Sequence, residues 1–256
     1  MTNIAYQSDA IARHYSTHRR RWNYLYPSER TIFDRLRAEN ARLGRVLDVG
    51  CAAGGLAAAL AERFASIESY TGIDINPQAI EAARRLAKSP FETRFLNADI
   101  CQAPSLPNDA FDLVAALSVA DWNVDANGIL SACWRRVAPG GHLVISLRLT
   151  PGAGICDMSR SFQFIWFEDS PPPADAERAA YNIFNVREAV RMLGDQVPKP
   201  ERITLYGYWG KPSATAHTPY ERLIFSVIAM RRPEDASFSG EPMLDASLPL
   251  GAIVDV

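Results

Sequence analysis

The run Val46–Gly55, VLDVGCAAGG, constrains this chain more than any other stretch. Apolar residues around one acid suit a short buried strand, and a small-residue turn before a helix lets backbone N–H groups approach a ligand. Gly50, Ala52 and Gly55 match a relaxed G-x-A-x-x-G dinucleotide loop, whereas Gly50 and Gly54, with Ala52 between them, match a G-x-G-x-G loop with its middle glycine replaced. The turn by itself leaves both readings open.

Strand and helix patterns alternate from that point. After the strand at Val46–Val49, a helix over Gly55–Phe64 carries Leu56, Leu60 and Phe64 on one face. A second strand, Tyr70–Ile75, leads to Asn76 as N-cap and Pro77 in the first turn of a helix whose buried face is Ile80, Ala83, Leu86 and Ala87. Strands at Thr93–Asn97, Phe111–Leu117 and HLVISLRL follow, the last two separated by a helix through Ile129, Cys133 and Val137. This alternation predicts an α/β fold, a doubly wound parallel sheet that binds ligands at the carboxyl ends of its strands. Two later strands, ERITLYGYW and ERLIFSVIAM, are joined by a loop too short for a parallel crossover. The sheet is therefore expected to have about seven strands, mostly parallel with the last antiparallel.

Three regions are expected. Residues 1–45 read as a helical N-terminal lid or substrate region, with Ser28 able to cap a helix through Ile32, Phe33, Leu36 and Leu43. Residues 46–232 form the core, with an aromatic and proline-rich insertion at about 150–184, and 233–256 form an acidic tail without periodicity. The net charge of -2 argues against wholesale nucleic-acid binding. It is uneven, however, because residues 1–45 hold nine arginines against four acids. That asymmetry suits an anionic small molecule. The absence of a long apolar run and of a basic-then-apolar leader predicts a cytoplasmic protein with no membrane partner. Four scattered cysteines form no C-x-x-C pair, which argues against a zinc or redox motif.

The acids at the strand ends carry the chemistry. Asp48 stands where a dinucleotide loop has an apolar residue, Asp74 ends the second strand at a position suited to ribose hydroxyls, and Asp99 follows the third. With YTGIDINP, FLNADI, FDLVAALSVADW and WRRVAPGGHLVI in order after VLDVGCAAGG, the chain resembles the class I S-adenosylmethionine-dependent methyltransferases over roughly Arg45–Leu149. The resemblance implies a Rossmann-like fold and S-adenosylmethionine as cofactor. By position, Asp48, Gly50 and Gly54 would surround its methionine part, Asp74 its ribose and Asp99 its adenine edge. Cys51, Ala52, Ile75, Asn97, Ile100 and Ser118 complete the implied cofactor site. Two positions depart from the family. Ala52 replaces a glycine, which is tolerable at negative φ, and Asp121 is followed by Trp122 where many members have an acid followed by histidine.

Methyl transfer requires in-line positioning, and a hydroxyl acceptor gains from a general base. Asp121 is the best-placed candidate base, at the end of the fourth strand, ahead of His217, His14 and His18. His14 and His18 have the i, i+4 spacing of metal ligands, but no third ligand accompanies them, so no metal is expected. Expected substrate contacts are Tyr15, Trp22, Trp122, Arg160, Gln163 and Tyr181, although aromatics in such segments also serve as core. The implied function is O-methylation of a small hydroxylated molecule such as a sugar, a nucleotide-linked sugar or a natural product. An RNA-modifying enzyme and a non-catalytic nucleotide binder of the same fold remain as alternatives.

Overall fold

The computed structural model describes residues 14–252 save 87, 105, 109, 169 and 236. Strands β1 (Arg45–Val49), β2 (Ser69–Asp74), β3 (Glu92–Asn97), β4 (Phe111–Ala116) and β5 (Val137–Thr150) pair in parallel in the order β5-β4-β1-β2-β3. The chain runs outward from β1 to β3, then returns to the other side of β1 to place β4. That reversal makes a switch point, where the loops after β1 and β4 diverge and leave a crevice at the strand ends. The crevice is tight at its base, since a Cβ on Gly50 would stand 2.6 Å from Val119 Cγ2.

Alternate residues of the strands feed two apolar layers. Leu143, Ile145, Leu147 and Leu149 of β5 join Ile129, Leu130, Cys133 and Trp134 of helix α4 (Ala126–Trp134) and Val186, Ala189 and Leu193 of α5 (Val186–Gly194). On the other layer, Val46, Leu113 and Val144 meet α1 (Pro27–Ala38), α2 (Gly55–Ala61) and α3 (Pro77–Leu86) through Phe33, Leu60 and Ile80. Leu86, expected on the buried face of α3, is exposed, and Ala87 lies outside the described residues. No helix among the described residues is long and apolar enough to cross a membrane.

The antiparallel strand is β11 (Leu223–Arg231), which lies between β5 and β9 (Arg202–Gly210) and runs opposite to both. The 233–256 region is more than a tail: Met243–Ser247 forms β12, parallel to β9 at the sheet edge. An edge strand can be held by backbone hydrogen bonds with little burial, so it leaves no apolar period to read. The 150–184 insertion supplies β6 (Phe162–Phe164) and β7 (Arg178–Ala180), which join β10 (Ala216–His217) in a separate antiparallel sheet. It ends in a two-residue strand, β8 (Phe184–Asn185), beside β5.

Over its described residues, 14–45, the N-terminal region is less helical than its pattern suggests. Before α1 stand two single 3-10 turns, Tyr15–Thr17 and Trp22–Tyr24. Tyr26, not Ser28, is the N-cap of α1, with Pro27 in the first turn and the Glu29 carboxylate accepting from the Tyr26 N–H at 2.9 Å. Trp22, expected at the substrate, instead fills the core between Phe33 and Phe64, with ring centroids 6.4 and 6.1 Å away. Between these turns the backbone lies directly on α2, where a Cβ built on Gly55 would fall 1.9 Å from the His18 carbonyl oxygen. Backbone cannot yield there as a flexible side chain would. Gly55→Ala is therefore expected to lift the segment off the core. Trypsin should then cut at Arg19–Arg21 several-fold faster than in the unaltered protein, and an unchanged cleavage rate would show that the contact is not holding the segment.

Candidate active site

A cavity of about 430 Å³ opens at the carboxyl ends of β1 to β4. The loop after β1 is pinned to β2 by N–H groups of Gly50 and Cys51, which donate to the Ile73 carbonyl at 2.8 and 3.0 Å. Gly50 and Gly54 both have φ of 71°, the left-handed region where glycine carries no Cβ penalty. Ala52 has φ of 46°, so the position that replaces a glycine does call for positive φ, contrary to the condition under which alanine is easily accommodated. Left-handed alanine costs roughly 1 kcal/mol. The hydrogen bond from the Ala52 N–H to Asp74 Oδ2 at 2.9 Å helps to hold it.

Asp74 ties the site together. Its other oxygen, Oδ1, accepts from the Asn76 N–H at 2.8 Å, and its carbonyl accepts from Asn97 Nδ2 at 2.9 Å. Burial raises its pKa, an effect opposed by the Asn76 and Ala52 amides. Asp48 lies deeper. Burial pushes its carboxyl up to about 7, even though the Tyr70 hydroxyl donates to it and Arg19 is close by. Two acids buried in one cavity favour a ligand that brings hydroxyl donors and positive charge. Asp99 lines the same cavity while accepting from the Cys101 N–H at 2.9 Å.

The cavity gathers Asp48, Gly50, Cys51, Ala52, Asp74, Ile75, Asn97, Asp99, Ile100 and Ser118, together with Tyr15 and Trp122. Gly54 does not line it; it caps α2, and Gly55 takes the lining position. The largest addition is Arg19. Its guanidinium donates to Glu29 Oε1 at 3.0 and 2.6 Å and to Ser118 Oγ at 2.9 Å. In the sequence Arg19 is one of three consecutive arginines, and only the long-range pairing with buried Glu29 separates it from its neighbours.

The other expected contacts lie elsewhere. Arg160 is exposed in a turn of the insertion, and Gln163 sits on β6 opposite Ala179 and Ala216. Tyr181 is fully buried, with Arg148 stacked on its ring 3.7 Å from the centroid. Asp121, the expected base, is 4% exposed and does not line the cavity. The 3-10 turn Ala120–Trp122 aims it at Arg148, 3.4 Å away, while the next residue, Trp122, takes the cavity wall. Burial raises the Asp121 pKa, opposed chiefly by Arg148. The same turn anchors the insertion, since the Asn182 N–H donates to the Asp121 carbonyl at 2.9 Å and Asn182 Nδ2 to the Asn123 carbonyl at 2.6 Å. His217 is exposed on β10 and stacks on Phe162. No group of three or more metal-binding side chains occurs among the described residues.

Removing one partner of a buried ion pair strands the other charge. Asp121→Ala is therefore expected to lower stability by about 3 to 5 kcal/mol, as measured by urea unfolding. A folded variant of unchanged stability would return Asp121 to consideration as a reacting group.

Comparison with known proteins agrees with this arrangement. Residues 47–145 match a methyltransferase domain family. A ubiquinone biosynthesis O-methyltransferase of Alkalilimnicola ehrlichii is 34% identical over 103 residues, which cover 40% of each chain. An uncharacterized methyltransferase of Mycobacterium bovis is 40% identical over 107 residues, 41% of this chain and 51% of that one. The match thus spans about half, or less, of these relatives. The fold is shared with a Burkholderia thailandensis 1,6-didemethyltoxoflavin-N1-methyltransferase solved with its substrate and S-adenosylhomocysteine. That likeness has a TM-score of 0.51 at 18% identity and covers 81% of this chain and 79% of the other. Residues 47–145 thus carry the match to a methyltransferase domain family, and the ordered motifs and the strand-end cavity are consistent with the class I S-adenosylmethionine-dependent methyltransferases.

Proposed function

We propose that this protein transfers a methyl group from S-adenosylmethionine to a hydroxyl of a small molecule. The observation that carries the reading is the pair of buried acids, Asp48 and Asp74, in one cavity at the switch point of the sheet. Asp74, already oriented by two backbone amides, has carboxylate lone pairs left for the ribose hydroxyls. Asn97, Asp99 and Ile100 suit the adenine edge. Asp48 and the Gly50–Ala52 turn suit the methionine end, where the ammonium group would offset the buried charge. Arg19, held by Glu29 and Ser118, is placed to meet the carboxylate of that end.

When bound, the cofactor supplies an electrophilic methyl group on a sulfonium. The task left to the chain is to place a nucleophile in line with that methyl and to exclude water. Tyr15, His18 and Trp122 form the remaining wall. We assign the 14–25 segment the part of a lid, because His18 and Arg19 lie both against Gly55 and along the cavity. Hydroxyl transfer is favoured by the aligned ubiquinone-pathway relative, whose name specifies O-methylation.

Two expected outcomes test this reading. Asp74→Ala should weaken S-adenosylmethionine binding by about 2 to 3 kcal/mol, since two hydroxyls lose a charged acceptor; calorimetry showing unchanged affinity would mean that the ribose lies elsewhere. The second concerns pH. With a folded-state pKa of about 7, Asp48 is ionised above that pH and neutral below it. A cationic ligand beside it favours the ionised form, so affinity should fall about tenfold per unit as pH drops below 7. Binding titrations from pH 5.5 to 8.5 should show this slope, and Asp48→Asn should abolish it. A flat wild-type profile would separate Asp48 from the charged end of the cofactor.

A further inference from the structure

With Asp121 buried against Arg148, the cavity wall itself must be searched for a group able to take a proton. Its titratable residues among those described are Tyr15, His18, Arg19, Asp48, Cys51, Asp74 and Asp99. Six are committed or carry their proton. Asp48 accepts from Tyr70, Asp74 from two amides and Asp99 from Cys101. Burial raises the Tyr15 hydroxyl and the Cys51 thiol, so both stay protonated near neutral pH, and Arg19 is a permanent cation paired with Glu29. His18 is left. The His14 backbone beside it favours its protonated form, but burial opposes this more strongly and keeps the ring neutral. Its ring makes no hydrogen bond to another side chain among the described residues.

The surroundings of His18 are aromatic. Its ring lies 4.9 Å from Tyr15 and 5.4 Å from His14, and His14 is stacked on Phe167 at 4.0 Å. Trp122, covered on one side by Arg148 at 4.5 Å, lines the same cavity. The charged groups around His18 are Arg19 and His14, which oppose its protonation, and Glu29, which favours it; burial is the largest effect and also keeps the ring neutral.

We infer, on the basis of the methyl-transfer reading above, that His18 is the proton acceptor of this site and that its acceptor substrate is a phenol, a hydroxyl on a flat aromatic ring. Proton matching decides between hydroxyl classes. A phenol of pKa near 10 lies more than about three pK units above an imidazole held below its ordinary 6.5, whereas a sugar hydroxyl, close to water near 15.7, lies more than about nine above it. In the step itself, the phenol O–H bond breaks toward a ring nitrogen of the neutral His18 and an oxygen electron pair forms the O–CH3 bond. The methyl C–S bond breaks with its pair going to sulfur. The positive charge thereby moves from sulfonium to imidazolium, and His18 then releases its proton to solvent.

Nitrogen-15 NMR of imidazole-labelled protein with S-adenosylhomocysteine bound should show His18 neutral at pH 7.5 and titrating below 6.5. Its resonances should shift when 3,4-dihydroxybenzoate is added. His18→Gln should give the far-UV circular dichroism spectrum of the wild type, which reports that the variant is folded. Single-turnover methylation of catechol or 3,4-dihydroxybenzoate should fall about 100-fold or more, with loss of the low-pH limb. An unchanged rate and pH profile in His18→Gln would overturn the assignment, as would a wild type that binds S-adenosylmethionine yet methylates neither phenol. Failure of the wild type to bind S-adenosylmethionine would instead overturn the underlying reading of the cavity.

Discussion

The structure depends on one constraint, the burial of β1 between two parallel neighbours, β2 and β4. Parallel pairing prohibits tight turns, so each connection is a crossover and every strand delivers its carboxyl end to the same edge. Because β4 returns to the side of β1 away from β2, the loops after β1 and β4 separate at that edge. Most of the residues that define the cavity, Asp48 to Ala52, Asp74 to Asn76, Asn97 to Ile100, Leu117 to Val119, Trp122 and Asn123, are at the strand ends or just past them. Their chemistry follows from that address: acids at strand ends are close to backbone amides yet removed from water.

A second set of interactions closes the cavity from outside the sheet. Gly55 admits the backbone of His18, and the capping glutamate of α1 also receives Arg19, which reaches Ser118 in the loop after β4. Helix capping, a buried ion pair and one wall of the cavity therefore share a single carboxylate. On the other flank, the buried pair of Asp121 and Arg148 places Trp122 and holds the insertion through Asn182. Both flanks use paired buried charge, although Asp121 Oδ1 finds no hydrogen-bond partner among the described residues, and the value of such pairs lies as much in fixing geometry as in stabilisation.

The chain shows which parts of such a protein can be read directly. The alternation from Val46 to Leu149, the antiparallel pairing of β9 with β11 and the acids Asp48, Asp74 and Asp99 were all legible, because periodicity and loop length are local properties. Strand β12 was not, since an exposed edge strand has no apolar face to betray it. Trp22, Tyr181 and Asp121 look in the sequence like residues for a substrate. Their fate turns on which neighbours fold against them: Phe33 and Phe64 for Trp22, Arg148 for the other two.

The sequence by itself determined the doubly wound core, the strand ends where acids collect and the small-residue turn after β1, because each is written in residues close together along the chain. Tertiary structure decided the rest. It chose Arg19 from three consecutive arginines through a glutamate ten residues away, turned Asp121 into the interior and gave the cavity wall to Trp122 and His18. It also required a left-handed backbone at Ala52, where the residue type suggests none. The physical reason is that the energy of a charge or a ring is set by what surrounds it in space, and those partners come from elements distant in sequence.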